Sequence, residues 1–329
     1  YMKYHNEALS TGTGLDSSTD VGIPGANYDE FSSGISRITI QNGFTDPMVG
    51  FSPSLPWDRG EETFSVTGML TKITGNHTLK VGTEVRHNED FLLQIQDAGG
   101  VRGQFQFNGA RTSIPTDGAA TSGLANSFAS FLLDVPSLVQ RDIKALDRPG
   151  TKHWAVFAFV QDKWQVTPKL TVDLGLRWEY YTPLVGIEDQ GGLSTYNPSN
   201  NTVEVAGYGS IPQNIGVEST WTNFAPRLGA SYRFDEKTVL RAGFGTTIIP
   251  FPDNEYAFNF PVKQNEQFQP ANGFAPAGSM AAGFGEPTFF PIPSSGVVDA
   301  SIPQLKNAQL VNVPSDLKEA KLHSWNVAF

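Results

Sequence analysis

From Lys169 to Tyr181 the side chains alternate without a break. Leu170, Val172, Leu174, Leu176, Trp178 and Tyr180 share one face, and Thr171, Asp173, Gly175, Arg177, Glu179 and Tyr181 share the other. Period two is strand geometry, because successive Cβ atoms point to opposite sides of a pleated chain. One face is wholly apolar or aromatic and the other carries Asp, Arg and Glu. The pattern recurs in Thr78–Arg86, where Leu79, Val81 and Val85 oppose Lys80, Gly82, Glu84 and Arg86. In Asn223–Phe234, Phe224, Leu228, Ala230, Tyr232 and Phe234 oppose Arg227, Gly229, Ser231 and Arg233. In Thr238–Ile248, Leu240, Ala242, Phe244 and Ile248 oppose Val239, Arg241, Gly243 and Gly245. Globular strands run to about 5–6 residues. These runs have the length of about 9–11 residues that a tilted strand needs to cross a bilayer, or a little more.

The connections carry a second regularity. Thr74-Gly75-Asn76-His77, Val166-Thr167-Pro168-Lys169 and Asp235-Glu236-Lys237 read as tight polar turns. Between them lie long connections, roughly 88–152, 182–222 and 250–316. Short and long alternate, as in a barrel with short turns on one side of a membrane and long loops on the other. A pattern of apolar, charged, apolar, Gly follows each short turn: Leu79-Lys80-Val81-Gly82, Val172-Asp173-Leu174-Gly175 and Leu240-Arg241-Ala242-Gly243. The expected fold is therefore all-β, an antiparallel transmembrane β-barrel segment with long extracellular loops. Residues 1–61 read as an extracellular loop region and 62–249 as barrel strands in three hairpins with long loops between. Residues 250–316 read as a further long loop, and 317–329 as the start of another strand. Within the loops, Ser127–Leu133 reads as one helical turn, and Gln104–Phe107 and Leu138–Ala145 as strand extensions above the membrane. The start at Tyr1 and the stop at Phe329 inside a strand-like run read as an excerpt of a longer chain.

Composition fits this picture. Among 329 residues, 17% are charged, with 33 Gly, 22 Pro and 23 Phe. That is a turn-rich, aromatic, weakly charged chain. Mean hydropathy is −0.25, which reads as soluble but is also what strands alternating between lipid and lumen produce. No stretch reaches the eighteen or so apolar residues of a membrane helix. The net charge of −10 argues against a nucleic-acid partner. The absence of Cys excludes thiolate metal sites, disulfides and Cys nucleophiles.

Three segments carry a family resemblance: Gly75–Arg86 (GNHTLKVGTEVR), Ala158–Tyr180 (AFVQDKWQVTPKLTVDLGLRWEY) and Asn223–Gly245 (NFAPRLGASYRFDEKTVLRAGFG). In this order they resemble the barrel of Oar-like TonB-dependent receptors, over roughly Glu62 to Thr247. The Phe-Val-Gln-Asp strand, the Thr-Pro-Lys turn and the Leu-Gly-Leu-Arg strand are the most specific part. The resemblance implies a bacterial outer-membrane location with the loops outside, a 22-stranded barrel and an internal plug. It also implies a TonB box that contacts the energy-coupling complex through parts not in this chain. The expected partners are outer-membrane lipid, that complex and an unidentified substrate, taken up or exported.

The inner face of such a wall would carry Lys80, Glu84, Arg86, Asp173, Arg177, Glu179, Arg227, Arg233 and Arg241. Trp164, Trp178, Tyr180, Tyr181 and Tyr232 lie near strand ends, where barrels place the aromatic girdles that sit at headgroup level. Phe274, Phe284, Phe289 and Phe290 lie in a long loop, where they would contact a ligand or pack on one another. His5, His77, His87, His153 and His323 have no metal-ligand spacing and read as solvated polar residues. No phosphate loop and no Gly-x-Ser-x-Gly is present. The reading is a non-enzyme with no cofactor and no metal. Three rivals stand beside it: a passive porin-like channel, a surface-exposed interaction protein anchored by a barrel, and a soluble carbohydrate-binding β-sandwich.

Overall fold

The structure, a computed structural model, describes residues 1–329 apart from 43–48, 51, 97–98, 115–122, 188–191, 251–259, 273–274 and 306–307. Eight strands lie side by side in chain order as an antiparallel meander. They are β1 (Met2–Ala8), β2 (Trp57–Thr74), β3 (His77–Gln94), β4 (Gly150–Gln165), β5 (Leu170–Tyr181), β6 (Phe224–Arg233), β7 (Val239–Ile249) and β8 (Ala320–Ala328). Val185–Gly186 adds a two-residue strand beside β4. Among the described residues β1 and β8 are the two edges, and the sheet is open. Among the described residues no helix is long and apolar enough to cross a membrane.

Short turns join β2 to β3, β4 to β5 and β6 to β7, so all of them lie at one end of the sheet. The first is a two-residue hairpin at Gly75 and Asn76, where Gly75 takes φ +55, a left-handed conformation that glycine adopts without strain. In the third, the Asp235 carboxylate accepts the N–H groups of Lys237 at 2.8 Å and Thr238 at 2.9 Å. Those bonds hold its pKa below the ordinary carboxylate range. A depressed folded pKa means that the stabilisation is complete above the unfolded pKa and is lost as pH falls through the folded one. The protection factor of the backbone amides in this turn, the observed exchange rate against the intrinsic rate at the same pH, is expected to fall on acidification through that range. In Asp235→Ala it should be low and flat with pH; a turn that still loses protection with acid in the variant would assign the titration to another group.

Four long connections converge on the opposite end and fold into a cap. Arg37–Ile40, Gln104–Phe107, Leu138–Lys144 and Lys263–Phe268 form a four-stranded sheet, and Ser194–Asn197, Thr202–Val205 and Val297–Asp299 form a three-stranded one. The apolar cores lie here. Ile38, Ile40, Phe105, Phe107, Val139 and Phe284 make one, and Val203, Val205, Phe260, Val298 and Leu305 another.

Two buried charge clusters tie the cap together. Arg141 donates to Glu266 at 2.6 Å, to the Gly285 carbonyl at 2.6 Å and to the Gly25 carbonyl at 2.8 Å, between the rings of Tyr28 and Phe284. Lys263 donates to the Gln96 carbonyl at 2.6 Å and to Asp142 at 3.4 Å, and Asp142 also accepts the Gly100 N–H. Every buried charge here has a partner, which is the condition for tolerating it. Gly25 has φ +71, and a Cβ there would overlap the Phe284 carbonyl.

The structure departs from the sequence reading at several places. Met2–Ala8, read as loop, is an edge strand paired with Trp57–Thr63. Met2, Tyr4, Asn6 and Ala8 share one face and Lys3, His5 and Glu7 the other, a short alternation that the sequence reading passed over. β2 and β3 run beyond the read limits to Trp57 and Gln94, where charges fall on both faces. Gln104–Phe107 and Leu138–Lys144 are strands, but of the cap sheet rather than extensions of the wall. The helix spans Leu124–Leu132, more than one turn. Ile248, placed by alternation beside Phe244, is instead buried with Ala155, Phe157, Tyr181 and Ala225. The β6–β7 ladder ends at Arg227 and Gly245, and beyond them β7 pairs only with β8.

Candidate functional site

Register decides which side chains share a face. Lys80 stands opposite Gln161, Gly82 opposite Phe159 and Glu84 opposite Phe157. Phe159 in turn faces Arg177, and Phe157 faces Glu179. Gly175 faces Arg227, Gly229 faces Asp173, and Ser231 faces Arg241. Lys80, Glu84, Arg86, Asp173, Arg177, Glu179, Arg227, Arg233 and Arg241 therefore all lie on one side of the wall.

Part of this face is a tight polar cluster. Arg86 donates to Glu84 at 2.6 Å, and Arg177 donates to Glu179 at 2.7 Å. Both guanidiniums rest on the Phe157 ring, 5.4 and 4.4 Å from its centroid. Tyr181 donates to Glu179 at 2.6 Å and packs edge-on against Phe157. Tyr181 thus belongs to the charged face, not to an aromatic girdle. Arg233 donates to the Pro168 carbonyl in the neighbouring turn. Lys80, Asp173, Arg227 and Arg241 make no hydrogen bond or ion pair among the described residues.

The other face is apolar and exposed: Val66, Leu70, Val81, Val160, Leu174, Leu176, Leu228 and Val327 are each more than two-fifths open. So much contiguous apolar surface needs a non-aqueous neighbour. Aromatic residues bound it in two bands. Toward the cap, Trp178 and Tyr180 stack with Trp221, and the Trp178 indole donates to the Trp221 carbonyl. Toward the short turns lie Trp164, stacked on His77, and Tyr232, packed edge-on against Phe234. Trp154 and Trp164 mark the two bands on β4 and are ten positions apart. At about 3.3 Å per residue that is about 33 Å along the strand. A tilt of about 40° reduces it to about 25 Å, the height of the apolar belt on a membrane barrel.

Residues 1–329 match the family described as outer membrane beta barrel domain. The chain belongs to that family. It is an outer-membrane β-barrel protein, and the apolar face is the face such a domain turns to lipid. No curated protein matches the chain, and no solved structure does.

Other readings fare differently in this barrel domain. Phe284 is no ligand contact: it is buried in the cap core, 5.1 Å from Phe105 and beneath Arg141. Phe289 is half exposed, Phe290 packs against the Val203 cluster, and Phe274 lies outside the described residues. His77 is not simply solvated, since it bonds Asp162 at 2.7 Å. His5 bonds Asp58 at 2.6 Å, and His87 packs on Trp154. Among the described residues no group of three or more His, Cys, Asp or Glu could hold a metal. Sequence reasoning missed Lys163, which alternation along β4 places on the charged face opposite Asp173. It also missed Trp221, which precedes the β6 run and has no periodic signal.

Proposed function

We propose that this chain supplies wall strands and outward loops of a TonB-dependent transporter that moves an unidentified substrate across the bacterial outer membrane. One observation carries the reading: eight strands lie side by side without β1 meeting β8. Lipid does not tolerate an open edge, so the wall belongs to a barrel of more than eight strands. Barrel diameter grows with strand number, and the 22-stranded transporters hold a plug in a lumen that would otherwise leak. The segments that resemble Oar-like receptors fall on the β2–β3, β4–β5 and β6–β7 hairpins. In this reading the cap faces outward and the charged face lines the lumen. The remaining strands, plug and TonB box lie beyond residues 1–329. No catalytic step is part of it.

The test is conductance of the purified full-length protein in a planar bilayer. A plugged transporter stays closed at rest and opens only when urea disturbs the plug. A channel that is open at once without urea would replace this reading with a passive porin. The folded cap favours a second reading, a surface-binding protein anchored by the barrel. A protein that stays closed in urea while its cap captures a partner would establish that one.

A further inference from the structure

The charged face is unlike the rest of the chain. Along β2–β7 it carries eight Lys and Arg, the six named above with Lys163 and Arg59, and five carboxylates, Glu61, Glu84, Asp90, Asp173 and Glu179. The net is positive, whereas the whole chain has 23 Lys and Arg against 33 Asp and Glu and a net charge of −10. Random placement would have made this face acidic. Three of the cations, Arg59, Arg86 and Arg177, are neutralised by Glu61, Glu84 and Glu179. Lys80, Lys163, Arg227, Arg233 and Arg241 then stand against Asp90 and Asp173.

Glycines stand opposite Arg227 on both neighbouring strands. Arg227 is flanked by Gly175 on β5 and by Gly245 on β7. Gly229 follows it on its own strand and pairs with Gly243. The Asp173 side chain lies over Gly229 and the Asn326 side chain over Gly243, and beside Arg227 a cleft of about 370 Å³ opens among Gln161, Asp173 and Arg177. Arg241 lies diagonally across β6 and β7 from Arg227, next to Ser231. A guanidinium stays charged at any working pH and offers paired donors that match a carboxylate or phosphate. Cations of one sign on a low-dielectric wall focus the field and concentrate counter-ions.

We propose that Arg227, set between Gly175 and Gly245, and Arg241 form an anion-contact track in the lumen, so that the cargo is an anion bearing carboxylate or phosphate groups. The inference rests on the transporter reading only for the lumenal position of this face. The test is the reversal potential of the full-length protein in a planar bilayer under a KCl gradient, in urea that opens the pore but leaves the barrel intact. Chloride should be preferred over potassium. In Arg227→Gln/Arg241→Gln the permeability ratio should fall by about twofold or more, as removal of a focused field requires. Lys72→Gln/Lys237→Gln removes the same charge from the lipid face and a turn, and should leave the ratio unchanged. Heat-modifiable mobility confirms that each variant is folded. Cation preference in the unmodified protein, or a ratio that the arginine variant leaves untouched, overturns the proposal. A pore open without urea would sink the plugged transporter and still report the ion preference, so the two failures are read separately.

Discussion

Arg141→Met is expected to cost the cap about 3–5 kcal/mol, because it leaves a buried carboxylate without its partner. The Arg141 side chain is fully buried, and Glu266 is 14% exposed. The guanidinium also satisfies the Gly25 and Gly285 carbonyls, which come from the first and last long connections. A methionine fills the volume but offers no donor. Hydrogen exchange on the amides of Leu138–Lys144 should accelerate by about 2 to 3.5 orders of magnitude, while the wall amides keep their protection. Arg141→Met/Glu266→Met removes both charges and should recover much of the loss, the part that remains belonging to the two carbonyls. Equal exchange in Arg141→Met and the parent protein would mean that the cluster is solvated and holds nothing together.

The second large effect is on the lipid face. Leu228 lies midway between Phe224 and Tyr232 on β6 and is 49% exposed. Leu228→Arg puts a charge at the centre of the apolar belt, at a cost of about 2–4 kcal/mol. Folding into phospholipid vesicles, followed by heat-modifiable mobility or urea titration, should show that loss. Thr67→Arg places the same charge on the opposite face, directly across from Glu84, and should be close to neutral. If the two variants behave alike, the assignment of faces is wrong.

The wall was legible because each of its strands must solve the same two-sided problem. Lipid on one side and polar surroundings on the other force a strict alternation, which Leu170–Tyr180 displays almost without exception. Three hairpins follow from Gly75-Asn76, Thr167-Pro168 and Asp235-Glu236-Lys237, whose residue types specify tight turns. Legibility stopped where that constraint stops. Met2–Ala8 is only seven residues long, and the upper parts of β2 and β3 pair above the apolar belt with charges on both faces. The cap strands are three to seven residues long, too short to show a period. Their hydrophobic residues reach a common core only through contacts across the four long connections. Phe284 illustrates the loss: in sequence it is one aromatic in a Gly- and Pro-rich loop, and its burial depends on Gly25 and Gly103, far away in the chain. The charged face was legible residue by residue. The place of Lys163 opposite Asp173 and the register that sets Arg227 between Gly175 and Gly245 were not, because pairing between strands leaves no mark in one strand's sequence.

The joining of all four long connections in one cap also constrains the order in which the molecule is assembled. The bonds from Arg141 to Gly25 and Gly285 link residues 116 and 144 positions apart. In the proposed orientation, with the cap outside, a polar cap with buried ions cannot pass through hydrocarbon folded, so each connection would cross the membrane as loose chain. The cap therefore closes only after the strands on both sides of every connection are in place. Once closed it works as a latch: withdrawing any hairpin of the wall would first require the Arg141 and Lys263 clusters to come apart.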